Sequence, residues 1–454
     1  MEEKNLDKVL GKKDILALAF GAMIGWGWVI LAGTWILQAG SLGAMAAFAL
    51  GGIMIVFVGL VYAELTSAMP ESGGAYVFSR RALGKNASFI CTWALILGYV
   101  GVVSFEACAL PSVVEYLFPN FLKGHMYTVA GFDVYASWVG VGVIASIIIT
   151  IINYRGTKDA AFLQKILTVI IAVAGIALMI SAPISGNASN AQPLFKDGFK
   201  GILAVTIVTP FMYIGFDVIP QTAAEINMPF QKIGKILILS IVMAVTFYVL
   251  VIFAVSFLMT EDQMSSSVLA TADAMKIGFG NSDLAAKILI IAGLSGIISS
   301  WNAFLMGGSR AMYALAQAKM LPAFLGKVHP KYKTPSNAIL LIGMCSVIAP
   351  LFGKSMMGWL VNAGSFGIVT AYAMVCISFV VLRKKEPEME RPYKIKNHKF
   401  VGYMAVILSI AMLLLYIPGM IYAEWIIVGA WVVLGMVFFF SAKKKYSNLE
   451  TNEK

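Results

Sequence analysis

Apolar runs of about 18 residues or more recur from one end of the chain to the other, and the charged residues collect in the short stretches between them. A run of that length crosses the hydrocarbon core of a bilayer as a helix, at about 1.5 Å per residue. Twelve spans are predicted, over residues 15–40, 42–69, 88–118, 134–154, 162–182, 201–226, 233–259, 285–316, 337–351, 358–382, 401–422 and 425–441. A barrel would instead alternate apolar and polar positions over segments of about ten residues. A backbone in lipid must also satisfy its hydrogen bonds within its own segment. The predicted fold class is therefore an all-α integral membrane protein. The longest loops, roughly 183–200, 260–284 and 383–400, are too short to fold alone. The first run is too long and too glycine-rich for a secretion signal, and no small-residue cleavage site follows it.

Composition agrees: 59% of the 454 residues are hydrophobic and 13% are charged, against about a quarter charged in a soluble domain. The net charge of +11 is a topology signal. With the N-terminus in the cytoplasm, 27 of the 34 Lys and Arg, from Lys4 to Lys454, fall on the cytoplasmic side and six on the other. That asymmetry predicts an even number of spans in the plasma (inner) membrane with both termini cytoplasmic. Lys165, near the cytoplasmic start of span five, is expected to snorkel. The basic residues lie in short loops and form no basic domain, so a nucleic-acid partner is not expected. The connector "RKKEPEMERPYKIKNHK" reads as a solvated loop. Cys91, Cys108, Cys345 and Cys376 all fall inside spans and read as packing residues. The three histidines offer no metal site, and nothing in the chain sets an oligomeric state.

Two spans are interrupted. The first contains "GAMIGWGWVILAG" (Gly21–Gly33), four glycines in thirteen residues, each weakening a helix by about 1 kcal/mol relative to alanine. The sixth contains "PFMYIGFDVIP", with Pro210, Gly215 and Pro220 inside an apolar run. Five spans separate the two starts, so two such repeats run in opposite senses through the membrane. Interrupted helices at matching positions of two halves point to an inverted-repeat transporter and to its site. The units expected are 1–182 (tail and helices 1–5), 183–382 (helices 6–10) and 383–454 (helices 11–12 and tail). Broken helices expose N–H groups that receive a carboxylate and carbonyls that receive an ammonium group or a cation. The alternative use of the glycines is close helix packing.

These residues resemble the amino acid–polyamine–organocation superfamily of permeases, whose members share the broken-helix fold of the leucine transporter. The resemblance covers residues 14 to about 395. It rests on "GAMIGWGWVILAG", "YAELTSAMPESGGAYVFSRRALG" (Tyr62–Gly84), "YIGFDVIPQTAAEINMP" (Tyr213–Pro229), "GGSRAMYALAQAKMLP" (Gly307–Pro322) and "LRKKEPEMERPYK" (Leu382–Lys394), in that order. It implies twelve helices, a substrate site at the bilayer midplane and alternating access. By resemblance, the main chain at Ile24, Gly25, Trp26 and Gly27 holds the carboxylate and amine of an amino acid. The segment Phe211, Met212, Tyr213, Ile214 and Gly215 completes the amine site. Phe211 falls where relatives use an aromatic gate, and Asp217 where some carry a gating acid. Glu225 is expected to cap or pair at the cytoplasmic end of span six. The chain departs from the family at Trp26, where several relatives have Ser or Ala, and at Ile171, where some have a lysine.

A charge near the bilayer centre costs several kcal/mol and is a functional candidate by default. Glu106 in span three is the clearest case, expected to face the cavity and to pair with a cationic side chain or carry a coupling proton. Ser299 and Ser300 in span eight are candidate oxygen ligands for a sodium ion. Asn302 and Phe304, with Trp301, are expected to line the cavity one turn further on. The predicted function is a secondary active transporter of an amino acid or related amine, driven by an Na+ or H+ gradient or by exchange, with no cofactor. A polyamine or cationic amino acid exchanger and a non-transporting sensor of the same fold are the alternatives. No metalloprotease, serine-hydrolase or nucleotide-binding signature appears, so an enzyme is not expected.

Overall fold

The structure, a computed structural model, describes residues 6–118 and 120–452; the predicted tail charges Lys4 and Lys454 lie outside the described residues. Among these, nine helices are long and apolar enough to cross a membrane. They are α3 (Ser41–Ala68), α5 (Lys85–Leu117), α6 (Ala136–Arg155), α7 (Thr157–Ser185), α11 (Phe230–Leu258), α14 (Asp283–Gln317), α16 (Ser355–Lys385), α17 (His398–Tyr416) and α18 (Tyr422–Asn452). A further pair, α1 (Lys12–Met23) and α2 (Gly27–Ala39), forms one span bent by 43° at a short break. The sixth predicted span is a chain of short pieces: α8 (Gly198–Thr206), α9 (Thr209–Met212) and α10 (Val218–Gln221). The ninth is α15 (Ser336–Ile348), continued by a 3-10 turn to Phe352. The remaining helices, α4 (Gly74–Leu83), α12 (Glu261–Ser266) and α13 (Ala270–Gly278), lie in connections.

One element departs from the all-helical expectation. The stretch between predicted spans three and four, together with the first two residues of span four, forms an antiparallel hairpin, β1 (His125–Val129) and β2 (Phe132–Tyr135). Its turn is Ala130–Gly131, both at positive φ (49° and 82°), the backbone twist that tight hairpins require. Phe132 packs against Trp138 at 5.2 Å, which seats the hairpin on the start of α6.

The most enclosed helices are α5 and α14, with α16 packed against α5 and α3 against α11. The least enclosed is α18. It is held by a reciprocal pair: Trp93 Nε1 donates to the Trp431 carbonyl (2.8 Å) and Trp431 Nε1 to the Trp93 carbonyl (2.9 Å). Many cationic residues counted as loop charges are spent on structure. Arg383 and Arg391 close on the buried carboxylate of Glu64 at 2.5 and 3.1 Å, and the Ile395 N–H donates to it at 2.8 Å. The connector read as a solvated loop is therefore a strap across the end of α3.

Glu225 ties together both interrupted spans. Its carbonyl accepts the N–H groups of Val9 (3.0 Å) and Leu10 (2.9 Å), just before α1. Its carboxylate takes Arg310 of α14 in a fork, Nε to Oε1 at 2.7 Å and Nη2 to Oε2 at 3.2 Å, and Arg310 Nη2 also donates to Thr157 Oγ1 (2.7 Å). Both side chains are 1% exposed. Removing one partner leaves a buried charge unpaired, so Glu225→Ala is expected to cost about 3–5 kcal/mol. Adding Arg310→Met to it should recover part of that loss in thermal unfolding of the purified protein. Equal melting of Glu225→Ala and the native chain would refute the clasp.

Candidate transport site

The two interruptions meet. A Cβ at Gly215, which sits at φ +139°, would lie 2.7 Å from Ala22 Cβ and 3.0 Å from the Met23 nitrogen. A Cβ at Gly27 would lie 2.7 Å from Met212 Sδ, and one at Gly25 would lie 3.1 Å from Ser300 Cβ. The glycines that weaken these helices are thus what lets α1, α14 and the sixth segment close on one point. Among the described residues, the N–H groups of Gly25, Trp26 and Gly27 have no hydrogen-bond acceptor, and the carbonyls of Met212, Tyr213 and Ile214 accept no backbone bond. The Met23 carbonyl accepts from the hydroxyl of Tyr248 on α11 at 2.8 Å.

Around this point lies a cavity of about 80 Å³. Gly25, Trp26 and Gly27 line it from the first break, and Phe211, Met212 and Ile214 from the second. Glu106 and Phe105 enter from α5, Ser300 and Phe304 from α14, and Tyr248 from α11. The volume is well below the ~300–1,000 Å³ of drug-sized pockets, so the space left between the two breaks is small. Glu106 is 3% exposed. Its Oε1 accepts from Ser300 Oγ at 2.5 Å, and its Oε2 has no partner. A carboxylate oxygen left unpaired beside three unpaired amides is a site with capacity for both a cation or proton and an anion. The other walls are apolar, and Phe105 meets Phe211 edge-on at 6.2 Å.

Other predicted residues lie nearby but outside the cavity wall. Ile24 is fully buried in the core. Tyr213 turns its hydroxyl to the Phe48 carbonyl (2.9 Å), and Gly215 is the contact between the breaks. Asp217 is buried and accepts from Tyr99 OH (2.6 Å) and the Gly215 N–H (2.9 Å). It closes the turn of the second break. Asn302 corrects its expectation: it belongs to a chain of amides and not to the cavity. Asn153 Nδ2 donates to Asn302 Oδ1 (2.8 Å), Asn302 Nδ2 to Gln164 Oε1 (2.8 Å), and Gln164 Nε2 to Ser299 Oγ (2.7 Å). Trp301 is buried outside the cavity too.

The serine pair is split between these networks, Ser300 on Glu106 and Ser299 on Gln164. An amide nitrogen, a donor that cannot ligate a cation, rests on Ser299 Oγ and 3.3 Å from the Ala17 carbonyl. A sodium ion at that place would have to displace it. Ile171 reaches the same region, against Gly296 and beside the Gly25 carbonyl. Tyr248, Phe105, Leu31, Val102 and Val361 also line the cavity, and sequence reasoning missed them. Only Tyr248, a hydroxyl in the apolar run "AVTFYVLVIF", carried any signal.

The sequence model of the amino acid permease family matches residues 10–440. The chain belongs to the amino acid permease family. It is a transporter, not an enzyme. It is 28% identical to the branched-chain amino acid permease BcaP of Bacillus subtilis, over 98% of this chain and 95% of that one. It is 27% identical to the methylthioribose transporter of the same organism, over 99% and 96%. With the Bacillus subtilis aspartate–proton symporter the figures are 25%, 97% and 85%.

Trp26 owes its place to this permease's α14: a Cβ on Gly293 would lie 2.2 Å from Trp26 Cζ3. Gly293→Ala should push the ring toward the cavity and lower uptake at least tenfold, with a stability loss of about 1–3 kcal/mol from overpacking. Native uptake by a folded Gly293→Ala protein would show that the ring does not need that notch.

Proposed function

We propose that the chain is a secondary transporter that moves a small, apolar amino acid by alternating access, with Glu106 carrying a coupling proton. The observation behind this reading is the pairing, in one small cavity, of unpaired break amides with a single buried carboxylate and apolar walls. The amides of Gly25, Trp26 and Gly27 receive the substrate carboxylate. The carbonyls of Met212, Tyr213 and Ile214 receive its ammonium group. Phe105, Phe211 and Phe304 enclose the side chain, with Phe211 as the gate. Asp217 holds the second break in shape for gating. The likeness to a branched-chain amino acid permease supports an apolar side chain, and that to an aspartate–proton symporter supports a proton as the coupling ion.

The architecture we assign is twelve spans in a five-plus-five inverted repeat of the leucine-transporter type. The bent pair, the interrupted sixth segment and the short α15 complete the nine long helices to twelve. Four long helices lie between the two interrupted spans, which sets those spans antiparallel. The basic excess supports both termini on the cytoplasmic side of the plasma membrane, with the Glu225 clasp closing that side.

A second reading is favoured by the unpartnered Glu106 Oε2: pairing with a cationic side chain. Uptake into proteoliposomes separates the two. If Glu106 carries the proton, Glu106→Gln abolishes stimulation of apolar amino acid uptake by an inward proton gradient. If it pairs with substrate, the variant loses cationic substrates alone. Native selectivity and pH dependence in the variant would eliminate both. Replacing sodium by choline is expected to leave uptake unchanged. Trp26→Ser, which vacates part of the wall, is expected to broaden the range of substrates; an unaltered range would remove Trp26 as a specificity residue.

A further inference from the structure

A second concave feature lies on the outside of the bundle, against the half-helix that leads into the first break. It is a groove of about 330 Å³ between α1 and α7, floored by Met243 of α11. Helix α1 contributes Lys13, Leu16, Ala17 and Phe20, and helix α7 contributes Lys165, Thr168, Val169 and Ala172. Each set is spaced i, i+3, i+4, i+7, one continuous helix face. Both faces begin with a lysine and continue with apolar or satisfied groups over roughly 10 Å. The only hydroxyl, Thr168 Oγ1, is already bonded to the Ala17 and Gln164 carbonyls at 3.1 and 2.8 Å. Next to the groove the surface of α7 is apolar and open, with Val169 61% and Val173 60% exposed. In a bilayer such a surface faces acyl chains.

The charges sit at one end. Lys165 Nζ pairs with Asp14 Oδ1 at 2.7 Å, and the Gly11 N–H donates to Asp14 Oδ2 at 2.9 Å. Lys13 is exposed and has no acidic partner among the described residues, and neither has the adjoining Lys12. The mouth of the groove thus carries the ammonium groups of Lys13 and Lys165, with the one carboxylate of Asp14 paired to the second, at the end where the positive-inside pattern places the cytoplasmic headgroups. A lipid-facing groove is filled by an acyl chain in any membrane. The excess of positive charge selects which headgroup sits above it.

We propose that this groove is a binding site for an anionic phospholipid of the inner leaflet. Its phosphate lies between Lys13 and Lys165, and one acyl chain lies along Leu16, Ala17, Val169 and Ala172. The lipid packs against α1 and braces the half-helix whose far end, Met23, opens the transport site. It is independent of which solute that site carries.

The test uses the full chain, purified and stripped of lipid, then offered palmitoyl-oleoyl phosphatidylglycerol or phosphatidylcholine and examined by native mass spectrometry and thermal unfolding. The native protein should retain and be stabilised by phosphatidylglycerol over phosphatidylcholine. Lys13→Gln, an exposed change, should weaken phosphatidylglycerol retention by about fivefold, the share of one lysine near an anionic headgroup. Ala172→Trp, which fills the groove, should remove the preference, and millimolar inorganic phosphate should not displace the lipid. Equal retention of the two lipids, or unchanged retention in Lys13→Gln, overturns the proposal. Complete displacement by phosphate would mean an ion site without a lipid. Should Ala172→Trp fail to fold, Lys13→Gln decides alone.

Discussion

Hydrocarbon accepts no hydrogen bond, so a helix that breaks inside a bilayer must find a partner within the protein for each backbone group it frees. This constraint organises the permease. The bend at Ile24–Trp26 frees the amides of Gly25, Trp26 and Gly27; the turn at Tyr213–Asp217 frees carbonyls on the other side of the same cavity. Some freed groups are satisfied by side chains sent from neighbours: Tyr248 to the Met23 carbonyl and Asp217 to the Gly215 amide. The others are left unpaired, at about 1–3 kcal/mol each. A zwitterion that supplied the missing partners would recover that cost.

The breaks would not hold their positions alone. At the end of the molecule nearest Leu10, Glu225 binds the chain before α1 through its carbonyl and Arg310 through its carboxylate. One residue thereby fixes the ends of both interrupted segments to α14 and, through Thr157, to α7. Helix α14 then carries Ser300 to Glu106 and Ser299 to Gln164 on two adjacent faces. The amide chain from Asn153 to Ser299 stiffens one side of α1; the acid and its free oxygen face the cavity on the other. Many other buried hydroxyls, such as Thr92 and Ser256, bond to carbonyls of their own helices, whereas these networks join one helix to another.

Much of this was legible in the residues. "GAMIGWGWVILAG" and "PFMYIGFDVIP" showed two weakened helices, and Gly27 and Gly215 sit where a Cβ would strike the other break, while Gly21, Gly25 and Gly33 admit α7, α13 and α14. Glu106 stood out because a lone acid in an apolar run demands a reason. The role of Asn302 was misread because sequence spacing places it one turn from Ser299 without saying which neighbour receives its amide. The hairpin at 125–135 falls mostly in the stretch between predicted spans three and four, and only its last two residues, Val134 and Tyr135, were included in a span, because they are as apolar as the helix that follows.

By itself the sequence determined that this chain is a membrane protein of long apolar helices, where two of them fail, and which buried acid needs a partner. Those are local properties: hydropathy, helix propensity and the cost of a charge in lipid act on a residue wherever its segment goes. The tertiary structure decided which unpaired groups face each other across about 80 Å³, that Ser299 and Ser300 serve different networks, and that Tyr248 reaches the first break. These depend on distances between segments far apart in the chain, and only packing sets them.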